Sequence, residues 1–443
     1  MKKNILSVML LGAVALGFTA CGGGDDEPLE PNNNTAQGQS SSQGGNDQGE
    51  ESGTDDGGGV DEVLPEITSR IVVNVDADGN ADGGHTFEKE SDMVFVIDDI
   101  VYVVEDQETM NLRVNGLANN VKKSEITFIS QLNYDGKEMK VTTIHNRAFF
   151  NNHDLVSVTI CEGVTLIRKE AFRGCYNLIS VSIPSSTTII GSYAFYMCSK
   201  LSSINLHDGL KSIGDLAFSS CNSLESILIP KNLTNLGQAA FSGCLGLTSV
   251  TIPGSVPAIG EGSFAGCKNL TFVTICEGVT TIGDRAFSLC TALSSFTIPE
   301  SVTALGGGAF HDTPWLDSQP EGMVYAGKFA YVYKGTMAEG TSITLKDGTK
   351  GVCGGAFATC SGLKSITLPE SVAHIGRSAF SGCTGLETFT CYAKKVPKME
   401  KEIFGEDYFK PDLSAATLRV PSESLDAYKR SSVWSGFGTI VGI

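Results

Sequence analysis

"IGDRAFSLCTALSSFTIPE", residues 282–300, places Phe287 three positions before Cys290. Phe264 and Cys267 stand in the same relation 23 residues earlier, and Phe241 and Cys244 another 23 before that. The series Phe149, Phe172, Phe195, Phe218, Phe241, Phe264, Phe287 and Phe310 keeps a 23-residue step; Phe357 follows after 47, Phe380 after 23 and Phe404 after 24. Ala precedes most of them, with Ser263 and Ile403 as exceptions. After each Phe comes an alternating apolar run ("LISVSIP", "LTSVTIP", "LKSITLP"), and before it a shorter one ending in Ile-Gly ("LKSIGDLAF", "VTTIGDRAF"). Each unit therefore reads as a strand, a Pro-marked corner, a short strand and a tight or 3₁₀ turn at Ala-Phe. No such unit buries its apolar face alone, so neighbours must stack, and about eleven coils of a β-solenoid are expected.

Hydrophobic residues make up 41% of the 443, enough for a large core, and the net charge of −18 argues against nucleic acid as a partner. Eleven acids and no Lys or Arg lie between Gly22 and Glu62. That Gly/Ser/Asn/Asp-rich stretch cannot bury enough apolar surface to offset its ordering entropy and reads as a self-repelling tether. Before it, Lys2 and Lys3 precede an apolar run from Ile5 to Phe18, too short to span a bilayer. "FTAC" with Cys21 resembles a bacterial lipoprotein signal, Cys21 becoming the acylated N-terminus; an ordinary secretory signal is the other reading. "GGGDDE" resembles the acidic tract that sends some Gram-negative lipoproteins to the cell surface.

The consensus "LxxIxIPxxVxxIGxxAFxxCxx" resembles the BspA-type leucine-rich repeat over about residues 94–443. The resemblance implies a β-rich leucine-rich-repeat solenoid of the α-β horseshoe class, with an N-terminal hairpin cap and a C-terminal strand-helix-strand cap. "YDGKEMKVTTIHNRAF" is similar to the opening hairpin, turning at Asp135-Gly136. In the closing cap Ser422 is expected to cap a helix carrying Leu425 and Tyr428, with Trp434, Phe437 and Ile440 covering the last coil. The domain plan is then signal 1–20, acylated Cys and tether 21–60, a short β segment or linker 61–93, N-terminal cap 94–145, solenoid 146–392 with a degenerate coil at 311–346, and C-terminal cap 393–443. The resemblance further implies a non-catalytic, lipid-anchored outer-membrane protein, exposed at the cell surface and monomeric, that binds a host or bacterial surface or matrix protein. A scaffold subunit of a surface glycan-capture complex is the alternative, and an enzyme comes third.

The cysteine column is Cys175, Cys198, Cys221, Cys244, Cys267, Cys290, Cys360 and Cys383, with Asn152 and Thr313 in the same slot of two coils. Packed thiols, disulfides and metal ligands are the three readings. Parallel Cβ vectors disfavour disulfides, and zinc wants paired ligands on short loops. Packed free thiols remain the expected state. Cys161 and Cys276 fill the corner slot of Pro, Cys353 replaces the Gly of Ile-Gly, and Cys391 the last inward strand residue.

No other motif carries chemistry, so no catalytic residue, cofactor or metal is assigned. "GEGSFAG" (260–266) has its glycines at the repeat's own turns. "DADGNADGG" (76–84) resembles a calcium loop, but Gly79 is out of register and Phe87 stands where a Glu is needed. His85, His145, His153, His207, His311 and His374 form no ligand spacing. In each "LxxIxI" run the third and fifth residues point outward, giving stripes of Ser and Thr whose hydroxyls are expected to bond between neighbours. Phe272 and Leu228 interrupt the stripes and are candidate ligand contacts, as are Tyr325, Tyr331 and Tyr333 of "MVYAGKFAYVYKG", a hairpin expected to turn at Ala326-Gly327-Lys328, for which a purely structural role is the other and slightly favoured reading. A row of acids past the strands, Glu162, Asp208, Glu277, Glu300, Asp347 and Glu370, reads as solvated turns, with calcium a minor alternative.

Overall fold

The computed structural model describes residues 71–72, 93–106, 108–118, 121–399, 402–405 and 410–443. The chain divides into two units, Met1–Leu64 and Pro65–Ile443, and the described residues lie in the second. Cys21, the tether and the 76–84 segment fall outside them.

The repeat produces two parallel ladders. Long strands pair in register, as Ser157, Ser180 and Ser203 do at the third position and Val158, Val181 and Ile204 at the fourth. Short strands pair through the residue that precedes Gly in most coils, and His145 and Arg168 in the first two: Ile144 to Ile167, Ile190, Ile213 and Leu236, and later Ile259 to Ile282 and Leu305. The long ladder is interrupted around 226–229 and 295–298, leaving Ser249–Ile252 and Phe272–Ile275 as an isolated pair.

Neighbouring coils meet closely after the short strand, which explains the Ile-Gly pattern. A Cβ on Gly237 would lie 2.5 Å from the backbone of Gly214 and Asp215, and one on Gly306 2.3 Å from Asp284. Cys353 is accommodated because the element before it is the hairpin strand Phe329–Lys334 rather than a regular coil.

The Ala-Phe turn ties the coils together. The N–H of Phe149 donates to Ala171 O, that of Phe172 to Ala194 O, that of Phe195 to Ala217 O, and so on through Phe287 to Ala309 O, at 2.7–2.8 Å. The rings form a ladder in which seven successive pairs from Phe149 to Phe310 sit 5.1–5.7 Å apart with planes within 10°. Each buried ring contributes several kcal/mol, about 3–5 on truncation to Ala, and an offset aromatic pair about 0.5–1.5 kcal/mol more. Phe128 stacks on Phe149 at 5.8 Å, extending the column one coil N-terminally. With the coil at 311–346, this makes about thirteen turns where eleven were expected.

The N-terminal cap is a meander, Val94–Ile97, Ile100–Asp106 and Asn111–Leu117, followed by the hairpin Gln131–Tyr134 and Lys137–Ile144. Asp135 and Gly136 are both left-handed (φ 48° and 68°), as a two-residue hairpin turn requires. Lys137–Ile144 runs directly into the short-strand ladder. At the other end Thr417–Val420, a helix at Leu425–Arg430 and Thr439–Gly442 form the strand-helix-strand cap, and Trp434 and Phe437 close over Phe389 and Phe404. Ile440 is half-buried there. Ser422 does not cap the helix: it opens a 3₁₀ turn behind Pro421, and the residue at the helix start, Ser424, turns its hydroxyl to Lys394 O instead.

The degenerate coil breaks the ring ladder and repairs it with different parts. Thr313 caps the short helix Pro314–Asp317, whose Trp315 packs against Phe310 and Phe296. The hairpin Gly322–Ala326 and Phe329–Lys334 follows, turning at Gly327-Lys328. No Ala carbonyl is available to Phe310, and its N–H donates instead to the Tyr331 hydroxyl at 2.7 Å.

Candidate functional site

The cysteine column is built into the turn. Every ladder cysteine of the described residues is free, and all eight are buried. The thiols of Cys175, Cys198, Cys221, Cys244, Cys267, Cys290 and Cys383 each donate to the carbonyl of the Phe one coil earlier, at 3.0–3.3 Å. Burial pushes Cys175 and Cys290 up to about 12 and Cys360 to about 11. It raises Cys198, Cys221, Cys244 and Cys267 well above the ordinary thiol value. A protonated, buried thiol is neither nucleophile nor metal ligand. Thr313 occupies the same slot, but its hydroxyl donates to Phe310 O of its own coil, at 2.7 Å, rather than to the coil before. Cys161 donates to Ile129 O, and Cys391 meets the Tyr428 hydroxyl at 3.2 Å.

The acidic row serves the corners. Glu162 accepts from Ser185 N, Asp208 from Lys231 N, and Glu277 from the N–H groups of Glu300 and Ser301, each one coil onward. Hydrogen bonds from these backbone groups hold the Glu162 and Glu277 carboxyls below their usual range. Glu300 is lowered by the ammonium groups of Lys328 and Lys350. Among the described residues no group of three or more His, Cys, Asp or Glu side chains is placed to hold a metal ion.

The aromatic hairpin is mostly structural. Tyr331, one of the candidate ligand contacts, is only 2% exposed, because its strand is covered on both sides by core side chains. Tyr325 and Tyr333 are half-buried. The Tyr325 hydroxyl accepts from Lys346 N at 3.0 Å, and its ring lies 4.4 Å beneath the Lys346 ammonium. Tyr333 donates its backbone N–H to Ala356 O.

The strand face keeps the two remaining candidates in the open. Leu228 is 72% exposed and Phe272 60%. Two strands and two residues apart, they are separated by about 12 Å. Around them none of the third- and fifth-position residues is charged, from Ser157 and Thr159 to Thr388 and Thr390. Ser157, Thr159, Ser180, Ser182, Ser203 and Asn205 line a shallow depression of about 410 Å³. The expected hydroxyl-to-hydroxyl ladder is nearly absent: among the described stripe residues only Ser365 and Ser342 bond in this way, at 2.8 Å. On the short-strand side, by contrast, Thr165, Thr188, Thr234, Thr280 and Thr303 donate to the carbonyl one coil back.

One cluster escaped the reading by motif. In most coils the residue after the repeat Phe is small, as Ser219, Ser242, Ala265 and Ser288 are; in the coils of Phe149, Phe172 and Phe195 it is Phe150, Arg173 and Tyr196. A slot-by-slot comparison of coils carries that signal, which a search for chemical motifs does not.

Comparison with known proteins gives a match to the BspA type leucine rich repeat region in six copies, over residues 130–247, 188–317 and 330–413. A leucine-rich repeat protein from Bacteroides ovatus is 26% identical in sequence, the match covering 79% of this chain and 99% of that one with a TM-score of 0.50. The leucine rich repeat protein of T. pallidum is 27% identical over 46% of this chain and 90% of its own, with a TM-score of 0.41. A leucine rich cell surface protein from Faecalibacterium prausnitzii is 23% identical over 79% and 95%, with a TM-score of 0.42. No curated protein sequence matches the chain.

The thiol geometry makes two measurable statements. Cys244→Ser should fold, losing about 1 kcal/mol in chemical denaturation, because a hydroxyl keeps a donor within reach of Phe218 O, the carbonyl of the preceding coil that the thiol now serves. The folded thiols hold their protons more tightly than unfolded ones. Their contribution is therefore intact below the unfolded value of about 8.5 and is lost as pH rises from there toward 12, the value of folded Cys175 and Cys290. Stability flat from pH 7 to 8 and falling above 9, less steeply in a variant with several ladder cysteines changed to Ala, is expected; an equal fall in both would contradict it.

Proposed function

We propose, from the premise that the chain belongs to the family of BspA-type leucine-rich repeat proteins, that it is a non-catalytic module that binds another protein at the cell surface. The observation that carries this reading is the pair Phe272 and Leu228, large apolar side chains left open on a rigid, uncharged strand face. Large exposed anchors are where binding energy concentrates; Phe272 lies on the paired strands Ser249–Ile252 and Phe272–Ile275, and Leu228 where the long ladder is interrupted. A host or bacterial surface or matrix protein is the partner that family membership favours. The depression at Ser157–Asn205, lined by neutral hydroxyls and an amide, favours as a second reading a scaffold subunit that contacts glycan.

The N-terminal sequence supports a lipid anchor at Cys21, with the acidic stretch to Glu62 as spacer between membrane and solenoid. Among the described residues no helix is long and apolar enough to cross a membrane, and attachment would rest on the acyl chains. Cys21→Ser should shift the protein from the membrane to the soluble fraction of expressing cells; retention in the outer membrane would contradict the anchor.

Phe272→Ser restores the residue type of its ladder neighbour Ser249, and Leu228→Thr that of Thr251. Both variants should melt within a few degrees of wild type, since neither side chain is buried. Binding to immobilised extracellular-matrix proteins should weaken tenfold or more in the double variant. Matrix binding unchanged in the double variant removes the strand face as the site, and binding to a glycan array without any matrix binding favours the second reading.

A further inference from the structure

At the turn edge of the coils of Phe149, Phe172 and Phe195, on a different face from Phe272 and Leu228, an arginine–aromatic patch replaces the small residues of the later coils. The guanidinium of Arg173 lies 5.5 Å from the ring centre of Phe150, 5.6 Å from that of Tyr193 and 5.4 Å from that of Tyr196. Arg147 lies 5.5 Å over the same Phe150 ring. Both guanidiniums bond one carboxylate oxygen of Glu170, at 2.9 Å from Arg147 and 3.2 Å from Arg173. Glu170 is inside, its side chain 5% exposed, whereas Arg147 and Arg173 remain 46% and 35% exposed.

A purely structural role accounts poorly for this arrangement. Seven other coils close the same turn with Ser219, Ser242, Ala265, Ser288, His311, Ala358 or Ser381 in place of Phe150, Arg173 and Tyr196. The charge is also locally inverted. Residues 147–200 carry Arg147, Arg168, Lys169, Arg173 and Lys200 against Asp154, Glu162 and Glu170, a net +2 (five minus three) in a chain of net −18. Of those acids, Glu170 lies buried beneath the arginines and Glu162 is engaged at the opposite corner by Ser185.

We infer that this patch is a second docking site, and that its occupant is an acidic segment of a partner protein that carries aromatic residues among its carboxylates. Exposed guanidinium edges accept carboxylates as charge-assisted, two-pronged hydrogen bonds. The rings hold the arginines in one orientation before binding, which lowers the entropy lost on association. The same rings offer apolar surface to an aromatic side chain of the ligand, and Tyr and Arg are the residue types in which interface energy concentrates. An anionic membrane would share the charge preference but does not need the ring surface.

The test uses the full chain and a random glutamate–tyrosine copolymer, with poly-glutamate, poly-lysine and phosphatidylglycerol vesicles alongside, read by fluorescence anisotropy or co-sedimentation. The copolymer should bind more tightly than poly-glutamate, weaken with added salt, and lose at least tenfold in affinity in the triple variant Phe150→Ser/Arg173→Ser/Tyr196→Ser. Those changes install the residue of sister coils and should leave the melting temperature close to wild type. If the triple variant melts early, Arg173→Lys serves instead: it keeps the charge but not the planar fork and should bind at least threefold more weakly. Phe272→Ser should leave copolymer binding unchanged, which separates this site from the strand face. Absence of copolymer binding, equal binding of poly-lysine, unchanged affinity in the folded variants, or capture of vesicles without copolymer would each overturn the inference.

Discussion

The structure depends on what one Ala-Phe turn does for the next. From Phe149 to Phe287 the N–H of each repeat Phe donates to the carbonyl of the residue before the next Phe, Ala in most coils and Ser263 in one; the thiol of the next coil donates to the Phe carbonyl in most of them, and the rings stack. These three contacts repeat with the period and satisfy the backbone where the chain turns inside the stack, the place at which an irregular segment would otherwise bury unpaired groups. The spacing of the two strand ladders follows from that constraint.

Most of this was legible in the sequence because a 23-residue period fixes slots, and slots fix environment. Alternation in "LTSVTIP" gave the burial of Leu247, Val250 and Ile252 and the exposure of Ser249 and Thr251. The cysteines read correctly as packed thiols, but their hydrogen bond to the preceding coil's Phe carbonyl joins residues 26 apart, a relation that no linear pattern displays. The errors fall where the period fails. Tyr331 stood as either a ligand contact or a structural residue, and alternation cannot tell a solvated side from one covered by the preceding coil, where Phe310 and Trp315 lie. Ser422 sits in a sequence that permits a cap, yet Pro421 diverts the chain into a 3₁₀ turn first. The Arg173 patch was invisible for another reason: its parts are unremarkable singly and gain meaning only as departures from the small residues at the same slot.

The same architecture separates surfaces with different tasks. On the strand face an uncharged, hydroxyl-rich sheet presents Phe272 and Leu228; at the turn edge of the N-terminal coils Arg147 and Arg173 are held by rings above a buried carboxylate. A partner on the first pays mainly in desolvated hydroxyls and gains apolar contact, whereas one on the second depends on ionic strength. A rigid solenoid can carry both because each coil reports only to its neighbours.

The claim that backbone satisfaction at the turn is the controlling constraint is tested most directly where a side chain takes the place of the carbonyl, the Phe310 N–H on the Tyr331 hydroxyl. Hydrogen exchange of the Phe310 amide should be as slow in the wild-type protein as that of Phe264 or Phe287. In Tyr331→Phe, which keeps the ring and removes the acceptor, that amide should exchange at least tenfold faster, and the coils on either side of residues 311–346 should lose cooperativity in unfolding. Equal protection of the Phe310 amide in the two proteins, with one shared unfolding transition, would contradict the account.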